Sequence, residues 1–459
     1  MTPIAIRRGL VIAASVLLGV ALAASSSAQG MYYKEFNKDG RFYVFNNAKK
    51  AEAFEASGEV GTGLTRPGVG PNGATVVADS EEALELFFFK HGIAQTVDKP
   101  KKPKMEIKWA DGKTTMDFDK AQVNISNRVQ VRWTQEMPDD NVQVAGTEAA
   151  GDGKGSFRMR RAKFKIDGWF YKKELTYELQ MNWPALTGSN VGAFLEDAQI
   201  DWDVSKKQMF RIKFGQYKFA QGRQELTSSG SQQFVDRALV ENRYSAGRDT
   251  GIQLWGAILE KKLEWRVGAF NGNGLTRSAN DNAKYLWAAR VQLAPNGDPG
   301  YSEGDFQSRD KLLWAVAGSF QKNDLRFTTT NNDLDNTTWG ADVVFKYKGL
   351  YLTGESFWRK SKPETGSEFD DKGWFAQGGY LFGGPTKGKW EVAFRYGQFD
   401  PTDLVSNNKQ KETGGAISYY YNKHNLKVQA DFRQIKDDAA NSGRGTKNQE
   451  LRVQTQFLF

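Results

Sequence analysis

The chemistry open to this chain is limited first by what it lacks. It has no cysteine, which excludes thiol nucleophiles, disulfides and cysteine-held zinc. Two histidines, His91 and His424, leave little for metal or triad chemistry. Cations are what it has in quantity: 63 lysines and arginines against 54 acids, a formal charge of +9. Arg128, Arg132, Arg161, Lys163, Lys165, Arg211 and Lys213 fall on one parity of alternating segments, while Arg223, Arg237, Arg243 and Arg248 lie in or at the exit of one long polar stretch, 218–246. A guanidinium presents paired donors that suit phosphate or carboxylate. A row of such groups, each binding weakly enough to release, favours small anions moving from one to the next. No catalytic residue, cofactor, metal site or nucleic-acid partner is expected. The glycines of Gly68–Gly73 imitate a nucleotide loop but follow no strand, and Asn331, Asp333 and Asp335 lack the glycine and closing glutamate of a calcium loop.

These side chains need elements to carry them. The 459 residues are 13% aromatic, too rich for a disordered chain. Residues 1–28 have a basic start (Arg7, Arg8), an apolar run from Leu10 to Ala24 and small residues before a cut after Ala28, the layout of a signal peptide. Its removal takes two bases and no acid, so +9 falls to +7. Residues 29–98 read as a small α+β module. A hairpin turns at Lys38-Asp39-Gly40, a helix follows over Ala48–Ala56, and a second helix is capped by Asp79 or Ser80. Two prolines and four lysines make 99–104 a linker. The module from Met31 to Asp98 carries a net −3, which leaves +10 for the remainder.

From Met105 onward the texture is period two. In Val123, Ile125, Val129, Val131 and Trp133 the odd positions are apolar and the even ones polar, and the rhythm returns in Ala162/Phe164/Ile166, Leu175/Tyr177/Leu179 and on to Val428/Ala430/Phe432. Sixteen strands are predicted, starting near residues 122, 156, 173, 194, 208, 248, 261, 284, 311, 337, 349, 372, 388, 412, 424 and 447. Short turns such as 171–173 and 205–207 alternate with long polar loops at 137–155, 184–193, 218–247, 271–283, 321–336, 361–371, 401–411 and 437–446. That alternation is the signature of an all-β fold, a transmembrane antiparallel β-barrel over 105–459 with short turns on the periplasmic rim. Trp133, Trp169, Trp183, Trp202, Tyr217, Trp287 and Trp390 would supply the interfacial girdles. A secreted soluble sandwich also alternates. The signal peptide and the long-short loop alternation favour the barrel.

The apolar parity would face lipid, and its complement an aqueous lumen. Further inward bases are Arg266, Arg290, Lys346, Arg395, Lys427, Arg433 and Arg452, and inward acids include Glu174, Glu178, Asp197, Asp201, Glu355, Glu391 and Asp431. Arg237 and Arg243 have two readings: contact with a permeating ion, or pairing with acids to hold the loop.

The run Ser156-Phe157-Arg158-Met159-Arg160-Arg161-Ala162-Lys163-Phe164 resembles the second-strand signature of the phosphate-selective porin O and P family. So do Phe214–Lys218, Glu225–Ser229, Phe234–Arg237 and Gly247–Gly251. The resemblance covers about 120–459 and leaves the module outside. It implies a sixteen-stranded outer-membrane barrel, usually a homotrimer, whose third long loop folds into the lumen, and Phe459 resembles an assembly signal. The expected function is a passive outer-membrane channel for small anions such as phosphate, with lipid around it. The module would be periplasmic, with a periplasmic or cell-wall partner. Two alternatives stand beside it: a structural or adhesion barrel with a plugged lumen, and a carbohydrate or aromatic-solute channel using Trp255, Phe375 and Tyr420.

Overall fold

A computed structural model describes residues 32–93, 105–138, 153–183, 195–245, 247–276, 279–326, 333–383, 388–438 and 446–459. The expected signal peptide and linker lie outside them. The chain divides into two compact units, Met1–Lys102 and Pro103–Phe459.

In the first unit, strands β1 (Lys34–Lys38), β2 (Arg41–Phe45), β3 (Leu64–Arg66) and β4 (Thr75–Ala78) form a sheet in the order β1-β2-β4-β3, with β2 and β4 parallel. Helix α1 (Ala48–Ser57) begins at Asn47, whose side chain accepts from the Lys49 and Lys50 amides, and α2 (Glu81–Lys90) begins at Ser80, which accepts from Ala83. Alternation along β2 divides the core between the two sheet faces. Val44 packs with Leu84, Phe87 and Phe88 of α2, while Phe45 packs with Ala51 and Phe54 of α1.

The second unit is a closed barrel. A short hairpin, β5 (Glu106–Ala110) and β6 (Lys113–Phe118), precedes β7 (Ala121–Met137), β8 (Gly155–Phe170), β9 (Lys172–Asn182), β10 (Leu195–Asp203), β11 (Arg211–Lys218), β12 (Arg248–Ile258), β13 (Leu263–Phe270) and β14 (Leu286–Leu293). Then come β15 (Leu313–Leu325), β16 (Leu334–Tyr347), β17 (Leu350–Pro363), β18 (Phe369–Phe382), β19 (Lys389–Asp400), β20 (Gln410–Asn422), β21 (Leu426–Asp437) and β22 (Thr446–Leu458). Every neighbour from β7 to β22 pairs antiparallel, and β22 returns to β7 with Val453 opposite Trp133. These are the sixteen predicted strands. The β5–β6 hairpin was not foreseen; β6 pairs with the first residues of β7, below the stretch that β22 occupies. Closure gives each strand from β7 to β22 a partner on both sides among the described residues, as lipid requires.

Period two then divides the surfaces. Outward residues such as Phe214, Trp287, Val392 and Phe394 are half exposed or more, an apolar exterior of the kind a membrane-spanning barrel presents. Tyr217, expected in a girdle, is instead buried on the inner side against Phe270. A second departure concerns the turns. The connection from β14 to β15, residues 294–312, leaves from the short-turn end yet is as long as the loops opposite, and it folds inward. No described helix is long and apolar enough to cross a membrane.

A candidate conduction site: a basic passage beside a packed half-lumen

The long connection from β11 to β12 turns into the barrel and carries α3 (Arg223–Leu226) and α4 (Leu239–Tyr244). Its apolar side chains rest on the inner wall: Val240 and Tyr244 pack with Phe357, Phe375 and Phe399. The wall leaves room for them at Gly373, where an added Cβ would come within 2.9 Å of Tyr244 and 3.1 Å of Val240. The loop's backbone amides, which have no strand partner, are taken by inward carboxylates. Glu355 accepts from Arg223 and Gln224 (2.8 and 2.6 Å), Asp431 from Val235 (3.1 Å) and Glu412 from Leu239 (2.7 Å). Buried N–H groups must be answered somewhere, and here the wall answers them.

The inward segment 294–312 supports this loop from the short-turn end. Glu303, fully buried, accepts from the Gln233 amide (2.6 Å) and the Gln224 and Gln377 side chains (3.0 and 2.9 Å). The Glu303 amide donates to the Ser231 carbonyl, and its own carbonyl accepts from His424. Phe306 packs edge-on against Tyr420 and His424. Loop and segment together lie against the inner wall along β14 to β22, and the loop also covers Arg132 of β7.

The remaining side, along β7 to β13, holds a cavity of about 440 Å³. Ten bases line it, Arg128, Arg160, Arg161, Lys163, Lys165, Lys213, Lys218, Arg237, Arg248 and Arg266, against the acids Glu178, Glu196 and Asp197. It continues through shared residues Glu178, Gln199 and Lys213 into a second space of about 310 Å³ near the short-turn end, where Asp167, Glu178 and Asp201 face Lys213 alone. The lining therefore changes sign along its length.

Seven of the eleven sequence-derived residues line the larger cavity. Arg128 donates to Ser228 Oγ (3.1 Å) and, among the described residues, has no carboxylate partner within ion-pair distance; its Nε is buried without a partner. Arg161 bonds Gln130 and lies 3.7 Å from Asp236. Lys163 pairs with Glu196, Lys165 with Glu178 (2.8 Å), Lys213 with Asp201 (3.5 Å), and Arg248 takes Asp197 in two bonds of 2.9 Å. Arg237 both lines the cavity and braces the loop, donating to the carbonyls of Gln224, Glu225 and Thr227.

The other four sit elsewhere. Arg132 is sealed under the loop against Asp236 (2.5 Å), and Arg223 is locked onto Asp342 (3.1 Å) and the Gly300 carbonyl. Arg243 is pinned to Asp371 (3.1 Å). Arg211 holds Asp201 (2.9 Å) and lies over Trp255, whose indole Lys213 and Arg266 also approach. Burial pushes the Asp236 carboxyl up, but Arg132 and then Arg160 override this and hold it well below the usual carboxylate range. Arg132, Arg160 and Arg161 share this one carboxylate, with Arg452, already bound to Asp431, at 3.6 Å, so the cluster keeps an excess of positive charge.

Arg160 was missed. A β-bulge opposite Gln130 and Val131 places Arg160 and Arg161 consecutively on the lumen side. Beyond it Phe157 and Met159 face outward, 81% and 50% exposed. The sequence carried the signal: the apolar parity is odd at Phe157 and Met159 and even from Ala162 to Ile166. Arg266, one of the further inward bases, lines the cavity as well, and so does Lys218 at the start of the inward loop.

A closed sixteen-stranded barrel with an apolar exterior and a charged, loop-narrowed interior defines the class of outer-membrane porins. Solved porin structures share the fold. The outer membrane channel DcaP of Acinetobacter baumannii superposes with a TM-score of 0.52 at 12% identity, covering 74% of this chain and 98% of that one. An anion-selective porin from Comamonas acidovorans gives 0.50 at 12%, covering 73% and 100%. An uncharacterized protein of Aquifex aeolicus (strain VF5) is 24% identical over 291 residues, 57% of this chain and 67% of its own length. The family model for phosphate-selective porin O and P matches residues 131–459, and the chain belongs to that family.

Proposed function

We propose that this porin is a passive channel with a preference for small anions, phosphate among them, and that its selective stretch is the passage along β7 to β13. The observation that carries this is the lining of ten bases to three acids in a narrow, partly desolvated space, where fields are focused and counter-ions concentrate. The bases fall into two groups. Lys163, Lys165, Lys213, Arg248 and Arg266 are matched by wall acids, whereas Arg128, Arg160, Arg161, Arg237 and Lys218 lie together near Ser228 and Ser229 with only Asp236 and Glu225 to offset them. An anion meeting this second group finds several donors whose own bonds are long or shared. Such contacts attract without holding, as conduction requires.

The same reading makes the protein a homotrimer, as the family resemblance implies. The short-turn end, through which the chain enters at β5, would face the periplasm, so residues 29–98 would form a periplasmic module available to a periplasmic or cell-wall partner.

Of the inward aromatics that favoured a sugar or aromatic solute, Phe375 lies under α4 and Tyr420 under Phe306, so only Trp255 borders the open side. Chloride current through single channels, challenged with phosphate and separately with maltodextrin, tests the assignment. Block by phosphate at low concentration supports it; block by the sugar alone contradicts it; absence of any conductance favours a plugged structural barrel.

A further inference from the structure

Where α4 passes α3, the inward loop carries a carboxyl group that no base answers. Glu241 is fully buried, and neither of its carboxyl oxygens has a hydrogen-bond partner of normal geometry among the described residues, the Glu225 backbone N–H making only a weak approach. Glu355 reaches the same point from the wall: a Cβ added to Gly222 would lie 2.7 Å from an oxygen of each carboxyl group. The bases around them are drawn to other acids, although the Nε and Nη2 of Arg290 stay buried without a partner and out of ion-pair distance of Glu241 and Glu355. Arg223 and Arg290 both take Asp342, at 3.1 and 2.5 Å, while Lys218 and Arg237 both take Glu225, at 3.6 and 3.3 Å. No base forms an ion pair with Glu241 or Glu355 among the described residues. Two ionised carboxylates facing each other away from water repel strongly, and while Glu355 accepts the Arg223 and Gln224 amides, Glu241 has no donor of normal geometry among the described residues to offset its charge.

We propose that Glu241 and Glu355 hold one proton between them and are the positioning pair of the inward loop. With the proton in place, α3 and α4 seat against β17; with both groups ionised, the loop is driven off the wall and the width of the passage changes. Gly222 is what allows the approach, since any side chain there would sit between the two carboxyl groups. Burial, and after it the Glu225 charge, push the Glu241 carboxyl up to about 8 from its ordinary 4.5. The seated loop therefore binds a proton that the released loop does not bind between these values. Seating is complete below 4.5, weakens as pH rises towards about 8 and levels off beyond. Across that window the population of the released loop grows by up to about tenfold per pH unit.

The inference rests on the channel reading but not on its ion preference. A cation-preferring pore with this pH response would overturn the proposed selectivity and leave the carboxyl pair standing. The test is single-channel recording of the full mature chain in symmetrical potassium chloride from pH 5 to pH 9. In the wild type, substates or open-channel noise should increase with pH. In Glu241→Gln, whose amide can donate to Glu355 at every pH, that response should be lost and the trace should resemble the wild type at pH 5. Glu355→Gln repeats the test from the wall side, and heat-modifiable migration reports that each variant is a folded barrel. A wild-type trace that does not change with pH overturns the proposal, as does a pH response that persists in either folded variant.

Discussion

The two sides of the lumen are built from the same residue types and put them to different use. Along β14 to β22 the inward carboxylates Glu355, Glu412 and Asp431 accept backbone N–H groups of the inward loop, and Arg223, Arg290 and Arg452 are sealed onto Asp342 and Asp431. Along β7 to β13 the acids Glu178, Glu196 and Asp197 meet lysine and arginine side chains beside open space. What separates the sides is coverage by chain. Where the loop and the 294–312 segment lie over the wall, a charge becomes a structural contact; where they do not, it borders open space. A count of inward charges over the whole barrel therefore understates how basic the passage is, because the acids that would balance it are held elsewhere.

Substitutions on the two sides should separate accordingly. Asp342→Ala leaves Arg223 and Arg290 buried without their carboxylate, a loss of about 3–5 kcal/mol for a buried pair broken on one side. It should lower the temperature of heat-modifiable unfolding and give noisy, enlarged conductance. Gly373→Val overpacks the floor under Tyr244 and Val240, at a cost of about 1–3 kcal/mol, and should raise conductance by lifting α4 while the barrel stays folded. On the open side, Arg160→Gln with Arg161→Gln should leave unfolding nearly unchanged and cut the anion-to-cation permeability ratio by roughly tenfold, the lower end of what a focused field supplies. Arg243→Gln should have the smallest effect. Asp371 keeps Arg359 as partner and the side chain lies away from the passage, so selectivity should hold and stability should fall by less than about 1 kcal/mol. A selectivity change in Arg243→Gln as large as in the Arg160/Arg161 pair would erase the distinction between the sides.

The strands were legible because lipid on one face and water on the other impose period two, and sixteen segments kept it. Side-chain parity is local, so the inward placement of Arg128, Arg161, Lys163, Lys165, Arg211 and Lys213 was legible too. The bulge at Arg160 left a mark in the parity switch after Met159. Coverage left none. The connection 294–312 opens on Pro295-Asn296-Gly297-Asp298-Pro299-Gly300, the composition of an ordinary polar turn, and its inward course is decided by partners far along the chain, Gln224, Gln377 and His424, that meet its Glu303. Arg223 was expected at the passage, and Arg243 follows the second of its two readings, holding the loop; the carboxylates that take them, Asp342 and Asp371, lie more than a hundred residues away and leave no local mark. Tyr217 shows the converse, a girdle-type residue turned inward and buried against Phe270.

If ions cross along the uncovered basic side, the reversal potential across a tenfold potassium chloride gradient must depend on the arginines there. Recorded for the folded wild-type channel, it should lie clearly on the anion side, and in Arg160→Gln/Arg161→Gln it should collapse towards zero. A cation-side potential, or an anion-side one indifferent to the substitution, would mean that ions take another route.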